Sequence, residues 1–232
     1  QACSGYILGL YQASMLINSG CKHVLLLVGD SFSKFTDMFR NNTAPVFGDA
    51  GSATLIEYSE NAEKLYFNIN SDGSGYDALI CENGGFRNPV VKSDFYEDGN
   101  YQYKSKMDGG RIFDFTMSNV ALNIEELFDF AKISKENIDE FVFHQANKFI
   151  LENIARKLEI DISKISTETL TNYGNQCGAS IPCAISNTLQ QTVSEKKVKC
   201  ILSGFGVGLS WASAIVDLDN IYCSKLNNFK GE

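Results

Sequence analysis

Residues 3–18 read CSGYILGLYQASMLIN, a run with no charged side chain that closes at Gly20. A helix on a protein surface carries a charged face, so this stretch predicts a helix buried on all sides. Gly5, Gly9 and Ala13 recur four apart, which lays small residues along one stripe and allows close packing there. Residues 24–28, VLLLV, form a short apolar run ending at Gly29-Asp30, the pattern of a buried parallel strand. A second uncharged stretch runs from Thr169 to Ser194. It is too polar for a membrane and reads as a loop followed by a second buried helix. Pro182 falls in the first turn of that helix, where no amide donor is missed. Two buried helices lined with small residues call for sheets on both sides of a central helical layer.

Working outward, residues 47–51 form a turn before a strand at 52–57. Ser71 to Met107 is rich in Gly, Asn and Asp and reads as a long irregular excursion of the kind that builds binding sites. Helical spacing of Phe113, Met117, Val120, Ile124, Leu127 and Phe128 predicts a helix to Ala131. Then come a strand at 140–143, a helix at 147–158, a short strand near 165–170 and a strand at 198–203. A glycine-rich turn at 204–208 and a strand at 209–217 close the series. Strands alternating with helices predict a layered α/β fold.

The 232 residues carry a formal charge of −8, which excludes a basic nucleic-acid-binding stripe. No segment is long and apolar enough to span a bilayer. Seven cysteines, an odd number without a CxxC pair, and only two histidines argue against a zinc site. They fit a reduced, cytoplasmic protein whose thiols are mostly small core residues.

Three positions fall where local structure changes. Cys3 stands at the start of the first helix, where unpaired amides and the helix dipole favour a thiolate. His144 follows Phe141-Val142-Phe143 at a strand end, and Asn175 lies in the loop 172–178. Each also reads as structural: a core thiol, a strand-end histidine, a turn asparagine. Cysteine with distant His and Asn is a pattern for a thiol nucleophile, but spacing does not fix the reaction. His23 reads as solvated, Asp49 as a turn-stabilising carboxylate and Trp211 as core.

Taken in chain order, these motifs resemble one family, the β-ketoacyl-acyl-carrier-protein synthases III of the thiolase fold. The segments that carry the resemblance are Gln1-Ala2-Cys3-Ser4-Gly5, Phe47-Gly48-Asp49-Ala50-Gly51, Asp72-Gly73-Ser74, Met107 to Phe113, His144-Gln145-Ala146-Asn147, Gly174 to Pro182 and Gly206 to Trp211. The fold implied is a layered αβαβα arrangement of two similar halves. Residues 1–70 would be the remainder of the first half, 71–106 an irregular connection and 107–232 the second half. The resemblance also implies that the N-terminal third is absent and that this chain by itself is an inactive fragment.

The chemistry implied is a decarboxylating condensation. Cys3 would take an acyl group from an acyl-CoA. His144, through Nε2–H, and Asn175, through its amide, would serve decarboxylation of a malonyl-acyl-carrier-protein thioester. The backbone amides of Cys3 and Val207 would form a second oxyanion site, and Phe205, Gly206 and Asn147 would contact substrate. Lys148 and Arg156 would help dock the carrier protein, within a basic patch that includes Lys157, Lys104, Lys106 and Arg111. No metal or resident cofactor is implied, coenzyme A and phosphopantetheine thioesters being substrates; the expected assembly is a homodimer. The sequence departs from the family at Val207, where glycine is usual, and at Phe149, where an arginine is common. Two other readings stand beside this one: a thiolase-fold acyltransferase passing its acyl group to a non-malonyl acceptor, and a non-catalytic scaffold of the same fold.

Overall fold

The computed structural model describes residues 1–34, 46–102 and 105–229. In chain order the regular elements are α1 (Gly5–Asn18), β1 (His23–Asp30), β2 (Ala50–Glu57), β3 (Tyr66–Ser71), β4 (Leu79–Cys81), β5 (Ser105–Met107), α2 (Gly109–Phe115) and α3 (Ala121–Ala131). They continue with β6 (Glu140–Phe143), α4 (Lys148–Leu158), α5 (Glu168–Tyr173), α6 (Ser180–Ala184), α7 (Gln190–Glu195), β7 (Val198–Gly206) and β8 (Ser210–Leu218). A wider π turn at 116–120 joins α2 to α3, and another at 185–189 joins α6 to α7.

The central sheet has the order β3-β8-β7-β6, with only the β7–β6 pair parallel. Side-chain alternation along its strands builds two cores. Phe141, Phe143, Ile201 and Ile215 face α3 and α4, where Ile124, Leu127, Leu151 and Ile154 close over them. Val142, Cys200, Leu202, Ala212, Ala214 and Val216 face the other way, onto Tyr6 and Ile7 of α1 and Ile181 and Ala184 of α6. Beyond α1 and α6 lies the two-stranded sheet of β1 and β2. The described residues therefore stack as helix, sheet, helix, sheet, with α1 and α6 as the helical layer between sheets that the uncharged stretches call for. β3 crosses the boundary placed near residue 70, pairing Tyr66 to Ser71 with Ile215 to Ser210 of β8.

Several local expectations differ from what is observed. β1 is neither parallel nor buried: it pairs antiparallel with β2, His23 opposite Glu57 and Asp30 opposite Ala50. Its side chains alternate, so Leu25 and Leu27 are 59% and 67% exposed while their neighbours face α1. An unbroken apolar run does not distinguish one covered face from two. In α1, Tyr6, Ile7 and Ala13 are buried, but Tyr11, Met15 and Leu16 are exposed. The helix contacts β1 and β2 of one sheet and β7 and β8 of the other, and Met15 and Leu16 lie away from both. The small-residue stripe does pack closely at Gly9, where a Cβ would fall 2.6 Å from Leu26 Cδ1.

The strand expected near 165–170 is a single bridge from Ile165 to Phe141, after which α5 begins. The helix expected from Phe113 starts a turn earlier because the Asp108 side chain caps it, accepting from Arg111 N at 3.0 Å. The irregular excursion contains the short pair β4–β5. His23 is exposed beside Glu57 at 3.2 Å. Asp49 holds the turn before β2 by accepting from the Ser33 backbone at 2.9 Å and from its hydroxyl. Trp211 packs edge-on against Phe115 at 5.3 Å. All seven cysteines are free.

Candidate active site

The last residues of β7 assemble the site. Gly204 and Gly206 look like turn residues in the sequence, but both lie in the strand, where Cys3 rests against them, its backbone on Gly204 and its side chain on Gly206. A Cβ at residue 204 would stand 2.6 Å from the Cys3 carbonyl oxygen. At residue 206 it would stand 3.0 Å from Cys3 Cβ and 3.1 Å from Sγ. Glycine is needed here for close approach, not for a turn. Gly206→Ala is therefore expected to push the thiol off its position. A second-order rate of Cys3 acylation about 100-fold lower, with a folded protein by circular dichroism, is the result that checks this.

Between the two glycines, Phe205 points to the opposite face and meets the His144 ring edge-to-face at 5.4 Å. His144 leaves the end of β6, its backbone N donating to Ser203 O at 2.7 Å. Asn175 comes from the third direction. Its loop is pinned to the turn before β2 by Asn175 N to Val46 O at 2.8 Å and Gly48 N to Asn175 O at 2.9 Å. The Asn175 Oδ1 accepts from Cys177 N at 2.9 Å, which orients the amide and leaves its NH2 group as a donor. Cys177, two residues on, has a left-handed backbone with φ 49°. Its thiol lies beside that of Cys3 and raises the Cys3 pKa. Cys3, His144 and Asn175 thus converge from α1, β6 and the loop before α6.

The electrostatics differ from the thiolate expected at Cys3. Its pKa is raised well above the ordinary thiol value, first by the neighbouring Cys177 thiol, then by burial and by the charge of Asp30. The Cys3 backbone amide acts the other way and is outweighed. Burial and the neighbouring Cys177 thiol thus favour a neutral Cys3 thiol over the backbone amide that favours its thiolate. Burial also pushes His144 down to about 4, against a smaller opposing contribution from the Cys177 backbone. At neutral pH the pair is thiol and neutral imidazole.

This shift has a stability consequence. The unfolded chain takes up a proton on this histidine as pH falls through about 6.5, whereas the folded chain does so near 4. Between those values the unfolded state binds more protons. The contribution of His144 to stability is therefore present above pH 6.5 and is lost on acidification, by about 3 kcal/mol at pH 4. Urea titrations across that window should show a shallower pH dependence for His144→Gln than for the parent protein. Equal slopes would contradict the buried, neutral ring.

Val207 follows β7 in the tight connection to β8. Ser210 Oγ donates to its carbonyl at 3.0 Å and lies 2.8 Å from Ser4 Oγ, tying this connection to the residue after Cys3. Asn147 is seen as the cap of α4, its Oδ1 accepting from Ile150 N at 2.8 Å. Lys148 and Arg156 are exposed on α4. Lys148 lies 3.9 Å from Glu152, and Arg156 donates to Asn153 Oδ1 at 3.1 Å. Of the wider basic patch, Lys157 donates to Met117 O at 2.6 Å, Lys106 sits 3.8 Å from Glu82 and Arg111 is paired with Asp77 at 2.8 Å. Lys104 lies outside the described residues.

Sequence reasoning missed Cys177, Ser180 and Asp30. Ser180 Oγ touches His144 Nδ1 at 2.8 Å, and Asp30 Oδ2 accepts from Gly178 N at 2.7 Å. The available signal for the first two was their place in the same uncharged stretch as Asn175. Asp30 gave none, since it is simply the residue that ends an apolar run. Among the described residues no cluster of three metal-ligating side chains occurs, and no helix is long and apolar enough to cross a membrane.

Comparison with known proteins bears on this geometry. Residues 1–73 match the family described as 3-oxoacyl-[acyl-carrier-protein] synthase III, and residues 128–218 match the family described as its C-terminal part. A relative from Campylobacter jejuni is 34% identical over 234 residues, covering 97% of this chain and 64% of its own. The β-ketoacyl-[acyl-carrier-protein] synthase III of Streptococcus pneumoniae Hungary19A-6 is 34% identical over 220 residues, covering 94% of this chain and 66% of its own. The crystal structure of a 3-oxoacyl-(acyl-carrier protein) synthase from Burkholderia xenovorans LB400 superposes with a TM-score of 0.88 at 36% identity, covering 97% of this chain and 64% of that one. The chain thus spans about two thirds of the length of the proteins it matches.

Proposed function

The chain belongs to the 3-oxoacyl-[acyl-carrier-protein] synthase III family and has the thiolase-like fold, and from that premise we propose that it carries the active site of a decarboxylating condensing enzyme. An acyl-CoA loads Cys3: the bond from Sγ to the acyl carbon forms, the bond from that carbon to the coenzyme sulfur breaks, and the thiol proton ends on the coenzyme. A malonyl thioester of an acyl carrier protein then loses carbon dioxide. The resulting carbanion attacks the acyl carbonyl, a carbon–carbon bond forms, and Cys3 leaves as a sulfur that takes a proton from solvent.

The observation that carries this reading is the orientation of Asn175. Its Oδ1 is occupied by the Cys177 amide, so its NH2 group is held as a fixed neutral donor in the same site as Cys3 and His144. A neutral amide suits the oxyanion that develops on a thioester during decarboxylation, because it donates without changing charge. We further assign the backbone amides of Cys3 and Val207 to the acyl oxygen. Phe205 and Gly206 then bound the acyl site, with Asn147 beside the extender. Lys148 and Arg156 are our candidates for carrier docking. Both thioesters are substrates, and the scheme uses no resident cofactor. We also keep the homodimer and a cytoplasmic location as part of this reading.

Because the chain by itself is expected to be inactive, the test is to mix the complete protein with an acyl-CoA and a malonyl carrier thioester and measure carbon dioxide release together with the mass of the Cys3 peptide. Acyl adduct and carbon dioxide with the parent protein, and adduct with carbon dioxide release about 100-fold lower for Asn175→Ala, is the expected pair of results. An adduct whose acyl group moves to another acceptor without carbon dioxide release would overturn it.

A further inference from the structure

The loop that carries Asn175 runs on into a helical turn at 177–179 and then into α6, and from Thr169 to Ser194 it contains no charged side chain. The first amides of a helix lack partners inside it, and here each of the four finds one. Cys177 N donates to Asn175 Oδ1 at 2.9 Å, Ala179 N to Gln176 O at 3.0 Å and Ser180 N to Cys177 O. Those three bonds stay within the segment. Gly178 N instead donates to Asp30 Oδ2 at 2.7 Å, 148 positions away in the chain.

The approach is close on every side of Gly178. A Cβ there would stand 2.9 Å from the same carboxylate oxygen, 3.1 Å from Ala2 O and 3.3 Å from Val28 Cγ1. The buried glycine therefore lies between the end of β1 and the residue before Cys3. Asp30 is opposite Ala50 in the β1–β2 pair. The other ties on the Asn175 loop, to Val46 and Gly48, come from the turn that leads into the same strand β2. One end of this sheet thus grips the loop both before and after Asn175.

We propose that Asp30 is a positioning residue: its carboxylate oxygen, as the acceptor for Gly178 N, fixes the turn after Asn175 against the start of α1 and so sets where Asn175 stands relative to Cys3. This deepens the function proposed above and rests on it. Without an acceptor at residue 30 a buried N–H is left unpaired, at a cost that a shift of the turn relieves. The charge of Asp30 works against the Cys3 thiolate, after Cys177 and burial. What the site gains from Asp30 is the acceptor and not the charge. Asparagine keeps an acceptor oxygen at the same position of the side chain.

Two variants of the complete protein test this. Asp30→Ala is expected to release carbon dioxide from a malonyl carrier thioester about 10-fold more slowly than the parent, and Asp30→Asn to recover to within about 3-fold. Amide exchange at Gly178, followed by NMR, gives a readout that needs no activity. It should be slow in the parent and in Asp30→Asn and at least about 10-fold faster in Asp30→Ala. Folded Asp30→Ala with parent rates of release and exchange overturns the inference, and so does Asp30→Asn as impaired as Asp30→Ala. If Asp30→Ala does not fold, slow exchange retained in Asp30→Asn supports the inference, and a Gly178 amide that exchanges in the parent like an open loop overturns it. If the parent releases no carbon dioxide, the proposed function fails, while exchange at Gly178 still decides what Asp30 does.

Discussion

Replacing Cys3 by alanine is expected to lower condensation by at least about four orders of magnitude while leaving the chain folded. In this reading the thiol forms the covalent acyl intermediate, and no other group in the site replaces it. The neighbouring thiol of Cys177 is the one competitor. It is buried beside Cys3 and held by the left-handed turn before α6, so the mass of each peptide, and not only turnover, is the measurement. Loss of the adduct at Cys3 with none appearing at Cys177 is the expected outcome. Removing one sulfur from a site with 8% exposure costs on the order of 1 kcal/mol. The thermal midpoint therefore separates lost chemistry from lost fold. Retained condensation in Cys3→Ala would place the nucleophile elsewhere.

The second large effect is structural. In Gly48→Ala the new Cβ would stand 2.0 Å from the Tyr173 carbonyl oxygen and 3.2 Å from its carbon. Both are backbone atoms, so no side chain can rotate away. Gly174 is equally constrained, with φ +72° and a virtual Cβ 2.9 Å from Val46 O. These two glycines let the turn before β2 and the Asn175 loop lie back to back. We expect Gly48→Ala to cost about 3 kcal/mol or more by urea denaturation. Because the displaced loop carries Asn175, carbon dioxide release should fall about 100-fold, with acylation of Cys3 affected less. Gly73→Ala is the control, since nothing lies within 4 Å of a Cβ there. Equal stability of the two variants would contradict the close approach.

Those glycines also show how far the residues themselves can be read. Gly48 and Gly174 are legible as turn residues, although the turn expected over 47–51 is shorter, since β2 already begins at Ala50. Gly204 and Gly206 look the same and are strand residues, because what they accommodate is Cys3, some two hundred positions away in the chain. The parallel, covered strand expected at 24–28 failed for a related reason. Hydrophobicity measures the tendency of a side chain to leave water, and the chain partner that covers it is chosen elsewhere.

Local chemistry indicated much of this protein before any coordinates: the alternation of strands and helices and the two uncharged helices between sheets, with the three motifs that hold Cys3, His144 and Asn175 recognised by their resemblance to a family. The elements follow from residues near one another in the chain, through spacing, turn chemistry and the absence of charge. Tertiary structure alone decided the antiparallel partner of β1, the exposed half of α1, the thiol of Cys177 beside Cys3, the surroundings that favour a neutral Cys3 and the hydroxyl beside His144. Pairing, burial and protonation depend on which groups meet across distant parts of the chain. The free energy of a proton on sulfur or imidazole is set by what has replaced water around it.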